Sequence, residues 1–319
     1  MTSTSIGLDL GGTKCLGVVL DADGAVVDEH RLPTPSGSEA VVDVLSDVAL
    51  ELARRAADVG PVEAIGVGVP GLVDDRGVLR FAPNLPGVVQ LDLGALLRDR
   101  LASVGVDRVV VENDASCAAW GEGRAGAAAG SHHALLVTLG TGIGGGLVLG
   151  GSLYRGANGF AGEIGHMIID RHGPPCPCGQ RGCWERFASG SGLGRLGREA
   201  AIAGRAPRVV ELAGGDPEAV KGEHVTTAAA EGDEAAAAVM AEFAWYLALG
   251  LANLANALDP EVIVLGGGLI EAGAVLLDPV RSSFHALVEA DAHRPDVPIV
   301  AAALGERAGA IGAALLTRS

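Results

Sequence analysis

An α/β fold in two lobes is what this sequence predicts, and three observations carry that expectation. Apolar runs of strand length alternate with apolar stripes of helical period along the chain. A pair of strands turned by glycines recurs at an offset of 129 residues. The 319 residues can bury a large core, and the length suits about two domains.

Taken in order, residues 5–10, 15–20 and 25–32 are three short strands, turned at Gly11-Gly12 and Asp23-Gly24. A helix over 38–57 starts from a Ser38 cap, a buried strand covers 62–69, and a second helix covers 91–101. Another buried strand covers 108–111, and Asp114 stands as N-cap of a helix over 115–124. Leu10-Gly11 then recurs as Leu139-Gly140, and Gly17-Val18-Val19-Leu20 as Gly146-Leu147-Val148-Leu149. Five of the thirteen pairs from Leu8 to Leu20 are identical. A chance likeness between glycine-rich hairpins is the alternative to a duplicated unit whose two glycine turns face one cleft. Met240, Phe243, Leu247, Leu251, Leu254 and Leu258 form one stripe of a long helix, ended by Asp259-Pro260. A strand over 261–265 runs into Gly266-Gly267-Gly268, and a strand over 298–303 and a helix over 306–316 close the chain.

Composition excludes several classes. The net charge of −16 argues against sequence-independent nucleic-acid binding, which needs clustered Lys and Arg. The N-terminus has neither a basic segment nor a long apolar one, so no signal peptide is expected. The nearest thing to a membrane span, 243–258, is short and contains Asn253 and Asn256. Free cysteines with one metal loop suit the reducing cytoplasm.

The metal loop lies within residues 162–185. Three of the five cysteines, Cys176, Cys178 and Cys183, fall within eight positions, and His166 precedes them. This is a donor set that closes a tetrahedral structural zinc site, and the surrounding Gly and Pro residues supply its turns. A redox pair or plain buried thiols are the alternatives; Cys178 and Cys183 lack the spacing of a CxxC redox motif. Phosphate chemistry is suggested at Asp9-Leu10-Gly11-Gly12-Thr13-Lys14, where glycines admit phosphate oxygens to backbone N–H groups, Thr13 adds a hydroxyl, and Asp9 suits a hydrated Mg2+. An ordinary hairpin is the alternative, and the spacing is not that of a Walker A loop. Its counterpart, Gly140-Thr141-Gly142-Ile143-Gly144, completes a pair able to clamp one polyphosphate. Asp114, at a strand end, is either a general base or only a helix cap. Glu163 and Glu185, in the same stretch as the metal loop, could face a polar ligand. His132, His133 and His172 are expected on the surface, and Cys15 and Cys117 in the core.

The string CPCGQRGCWE resembles the C-x-C-G-x-x-G-C-x-E signature of the ROK family, and GEIGH resembles its companion motif. DLGGTK, END, LGTGIGGG and VLGGGL extend the likeness over nearly the whole chain in the family's order. The resemblance implies a two-domain actin-like (ribonuclease H-like) ATPase fold and a sugar kinase, with glucose as acceptor. N-acetylmannosamine or another hexose is the rival acceptor, and polyphosphate the rival donor. It implies Asp114 as base beside Asn113, and sugar contacts from Glu163, Glu185, Asn113 and, from PNLPG, Asn84. His166 then serves zinc with one nitrogen and the sugar with the other. Gly267 and Gly268 approach the adenosine of ATP. The implied small lobe is 1–113 plus a returning helix at 304–319, and the large lobe is 114–303. A family repressor would carry a further N-terminal helix-turn-helix, for which the start of DLGGTK at Asp9 leaves no room. A cytoplasmic homodimer or homotetramer is expected, with neither nucleic acid nor membrane as partner.

Overall fold

The computed structural model describes residues 4–318. Apolar, β-rich sequence on either side of Gly11-Gly12 pairs as β1 (Thr4–Leu10) and β2 (Lys14–Leu20), antiparallel, with Leu10 opposite Cys15. Strand β3 (Val26–Pro33) alternates half-buried and exposed residues, as an edge strand does. Helix α1 (Ser38–Arg55) lays Val41, Leu45, Val48 and Leu52 in the core. Its N-cap is Gly37 (φ 94°), and no side chain caps it. The expected Ser38 cap is therefore corrected: its hydroxyl donates instead to the Gly87 carbonyl at 3.1 Å.

Strands β4 (Val62–Val69), β5 (Leu72–Val73), β6 (Leu79–Phe81) and β7 (Val89–Leu91) follow, then α2 (Leu93–Leu101) and β8 (Arg108–Asn113). The three-stranded sheet β5-β6-β7 has no periodic sequence signal. A buried carboxylate organises it. Asp74 accepts the N–H groups of Arg76 (3.0 Å) and Val78 (2.9 Å) and the Arg80 guanidinium (2.5 Å). Burial alone would raise the Asp74 pKa, but these donors prevail and hold it at about 2. Helix α3 (Asp114–Ala125) leads to β9 (Ala134–Leu139), β10 (Ile143–Leu149) and β11 (Ser152–Leu153). Next come α4 (Glu185–Ala188), α5 (Gly190–Ile202), α6 (Pro207–Leu212), α7 (Gly222–Ala230), α8 (Glu234–Leu258), β12 (Val262–Gly266), α9 (Ala274–Leu287), β13 (Ile299–Ala301) and α10 (Ala308–Leu316).

The two large sheets have matching orders, β3-β2-β1-β4-β8 and β11-β10-β9-β12-β13. Moved by 129 residues, β2 falls on β10 end to end.

Two compact units divide the chain. One comprises Met1–Leu136, Gly146–Gly162 and Ala302–Ser319; the other comprises Val137–Gly145 and Glu163–Ala301. The expected division after residue 113 differs from this, because α3 packs on α10 and so stays with the first unit. In that unit β2 sends Leu16, Val18 and Leu20 to the α10 side and Cys15 and Val19 to the α1 side. Helix α10 lies directly on β1 and β4: a Cβ on Gly7 or Gly66 would stand 1.9 or 1.8 Å from an α10 carbonyl oxygen. The second unit centres on α8, 25 residues that bury Met240, Phe243, Leu247, Leu251 and Leu254 among α5, α7 and α9. By length and composition α8 is apolar enough to cross a membrane, because it extends beyond the 243–258 stretch, but it serves as the largely buried core helix of this unit.

Candidate active site

In the first unit the β1–β2 turn is held from both sides. Gly11 N–H donates to the Lys14 carbonyl at 2.8 Å, and the Thr34 hydroxyl donates to the Gly11 carbonyl at 2.7 Å. Gly12 and Thr13 are left exposed at the tip. Lys14 does not stand free there. Its ammonium pairs with Glu306, which also holds Arg31 at 2.5 Å. Both partners of the Lys14 pair are solvated, so a phosphate can compete for the lysine at small cost. The backbone of Asn84, itself exposed, passes close to Gly12.

Asp9, next to last in β1, is half-buried. Burial pushes its carboxyl up to about 7; the nearby Asp114 charge adds to the rise and Lys14 opposes it. Asp114 is raised too, by burial, against the backbone N–H groups of Ala115 and Asp114.

The cap of α3 is Asn113, not Asp114 as expected. Asn113 has the extended conformation an N-cap needs (φ −63°, ψ 143°), and its Oδ1 accepts the Ser116 N–H at 3.0 Å. Its Nδ2 donates to the Gly71 carbonyl at 3.2 Å. Asp114 is the first helical residue, and its Oδ1 accepts only a local bond from Ala115 N–H at 2.8 Å. The capping task thus falls to Asn113 and leaves the Asp114 carboxylate out of the helix cap.

In the second unit, Gly140 N–H donates to the Gly142 carbonyl at 3.0 Å, and Gly144 N–H to the Thr138 hydroxyl at 3.2 Å. This turn opens on a cleft of about 620 Å³ lined by Thr141 and Gly268 together with Arg186, Arg195, Arg198 and Lys221. Gly267 (φ 84°) sits against the Leu139 backbone and delivers Gly268 to the cleft. The four cations were not foreseen from sequence. The signal available was GSGLGRLGR, a glycine-rich helix start with Arg195 and Arg198 three apart on one face.

The metal-type donors also converge here. His166, Cys176, Cys178 and Cys183 bring their ligand atoms within 4.8 Å of one another. Cys178 Sγ lies 3.6 Å from Cys183 Sγ, and Cys176 Sγ lies 3.8 Å from His166 Nδ1. Zinc–sulfur bonds of ~2.3 Å imply tetrahedral edges of ~3.8 Å, so the set fits zinc. A turn at Ile164–His166 presents His166, whose Nε2 lies 3.9 Å from Glu163 Oε2. Glu185 stands between the donor set and the glycine turn. Its Oε1 is 3.2 Å from Cys176 Sγ, and a Cβ on Gly142 would come within 2.6 Å of its Oε2. All five cysteines are free, with Cys15 and Cys117 buried, and His132, His133 and His172 are exposed.

The ROK family model matches residues 5–319. A glucokinase of Streptomyces coelicolor is 39% identical over 318 residues, covering 98% of this chain and 97% of its own. An N-acetylmannosamine kinase of Escherichia coli is 34% identical over 322 residues, covering 99% and 98%. The crystal structure of a ROK family glucokinase from Streptomyces griseus in complex with glucose and AMPPNP matches with a TM-score of 0.84 at 39% identity, covering 99% of each chain.

Proposed function

The chain belongs to the ROK family, and on that footing we propose that it transfers the γ-phosphoryl group of ATP to the 6-hydroxyl of glucose. The observation that carries the reading is the division of labour at the start of α3. Asn113 satisfies the helix end, and Asp114, raised by burial, is left to accept the hydroxyl proton. The glucokinase likeness over the full chain supports glucose and a nucleotide donor.

Phosphoryl transfer relies on positioning and charge stabilisation more than on covalent chemistry. Each glycine turn offers backbone donors suited to phosphate oxygens, and in the second unit the cleft beside Gly268 takes the nucleoside. Asp9, made reluctant to ionise by burial and by the neighbouring Asp114, is a carboxylate that a divalent cation would stabilise, so it suits Mg2+. Bound Mg2+ would neutralise charge on the phosphates. His166 and the three cysteines would hold a zinc ion without leaving an open position, so the metal would brace Glu163 and Glu185 rather than react. Unpaired cysteines throughout agree with a cytoplasmic enzyme.

Glucose is expected to exceed mannose and galactose in kcat/KM by about tenfold or more, because an epimer leaves polar groups of the site unpaired, and N-acetylmannosamine is the serious competitor. A coupled assay over these sugars, with ATP and polyphosphate as donors, checks it. Faster turnover of N-acetylmannosamine would replace the acceptor and leave the kinase reading intact. The same preparation should contain about one zinc per chain, lost in Cys178→Ser.

A further inference from the structure

We propose that Glu112 and Arg155 form a charged brace that positions the Asn113–Asp114 peptide, and through it the Asp114 carboxylate, for proton acceptance. The proposal rests on Asp114 being the base. Glu112 is 5% exposed near the end of β8, the edge strand of the first sheet. Its two carboxylate oxygens are divided between two tasks. Oε1 accepts the Asn113 N–H at 2.9 Å, and Oε2 accepts the Arg155 Nε–H at 2.5 Å. At a sheet edge the last N–H of a strand lacks a neighbouring strand on its outer side. Glu112 supplies that acceptor from its own strand, and so fixes the peptide from which both Asn113 and Asp114 hang.

A buried carboxylate is best held in place by a counter-charge beside it. Arg155 is that counter-charge. Around buried Cys117 lie three carboxylates, Glu112, Asp9 and Asp114, and Arg155 is the cation that opposes them there. Arg155 also closes its own loop, because its carbonyl accepts the Ala161 N–H at 3.1 Å. Gly159, inside that loop, packs on the backbone of Val73, Asp74 and Asp75. One residue therefore secures both the strand end that bears the base and the loop that runs on in sequence to Glu163. Neither Glu112 nor Arg155 is assigned a substrate contact, so both are positioning residues.

A base displaced by about 1 Å can lose on the order of 100-fold in rate. Arg155→Met should therefore lower kcat about 10–100-fold while KM for MgATP stays within about twofold, and Arg155→Lys should recover most of the loss. The deciding measurement is a double-mutant cycle with Asp114→Asn, run with whichever sugar the wild type turns over. If the brace acts through Asp114, Arg155→Met should change kcat by less than about twofold in the Asp114→Asn background. Equal fold-losses in both backgrounds, or wild-type kcat in folded Arg155→Met, overturn the proposal. Should Arg155→Met fail to fold, Glu112→Gln enters the same cycle with the same expectation, since it keeps an acceptor for Asn113 N–H and loses the charge. Near-normal turnover by Asp114→Asn alone would defeat the base assignment itself, and is seen before the cycle is closed.

Discussion

The β1–β2 and β9–β10 hairpins share a sequence offset and a place in their sheets, yet different groups surround their turns. The first has Asp9 before its turn and Lys14 after it; the second has Thr138 and Ile143 at the corresponding positions. Thr138 spends its hydroxyl on the Gly144 N–H, so it stiffens the second turn from within. Asp9 has no such local use, and its carboxyl titrates near 7. The turns also differ in closure, Gly11 to Lys14 in the first and Gly140 to Gly142 in the second. Space around the tips differs as well. A Cβ on Gly12 would meet Asn84 O at 3.7 Å, an ordinary contact, whereas one on Gly142 would meet the Glu185 carboxylate at 2.6 Å. One backbone device thus serves two ends: a charged turn open to solvent, and a neutral turn seated against a carboxylate. What packs on each turn, rather than its own glycines, sets its chemistry.

The largest expected effect tests whether the charged side carries the reaction. Asp114→Asn should fold normally and lose roughly two to four orders of magnitude in kcat, the range for removing a general base. Near-wild-type turnover in a folded variant would return Asp114 to a structural role and dissolve the contrast between the hairpins.

A second, smaller effect compares the tips directly. Gly142→Ala must displace Glu185 and should cost about 10–100-fold in kcat/KM, the scale of a misplaced catalytic group. Gly12→Ala should stay within a few-fold of wild type. Equal losses at both tips would show that backbone freedom, not the neighbour, is what the glycines provide.

The last effect is on stability, not on rate, and concerns Asp9. Its folded pKa, about 7, lies well above the ordinary aspartate value of about 3.9. Below about pH 4 the carboxyl is neutral folded or unfolded, and Asp9 costs nothing. As pH rises toward 7 the unfolded chain ionises first, and stability is lost; above 7 the loss is complete. Asp9→Asn removes that loss. Its advantage in urea unfolding should grow between pH 4 and 7 to a few kcal/mol, on the order of 1.4 per pKa unit. A pH-independent difference would mean that Asp9 ionises as easily in the fold as in water.

Much of this was legible in the sequence because it depends on short windows. Strand and helix periods locate β1, β2, β4, β8, α8 and α10, since one buried face imposes its period on neighbouring residues. The repeat at 129 is visible because a tight turn tolerates few residues, so glycines persist where side chains have diverged. His166, Cys176, Cys178 and Cys183 were found because few other jobs need thiols so closely spaced, and the tertiary structure brings all four together.

Other features follow no hydrophobic period and emerged only in the folded chain. Asn113 rather than Asp114 caps α3 because β8 runs two residues past its apolar core before the helix begins. The β5-β6-β7 sheet is organised by one buried carboxylate, not by a hydrophobic period. The cations of the cleft come from α4, α5 and the start of α7, and no local pattern announces their convergence. The raised pKa of Asp9 arises from burial and from Asp114, 105 positions away. A residue's identity and its near neighbours determine what it can do chemically. Its desolvation and its distant partners determine which of those things it does, and both exist only once the chain has folded.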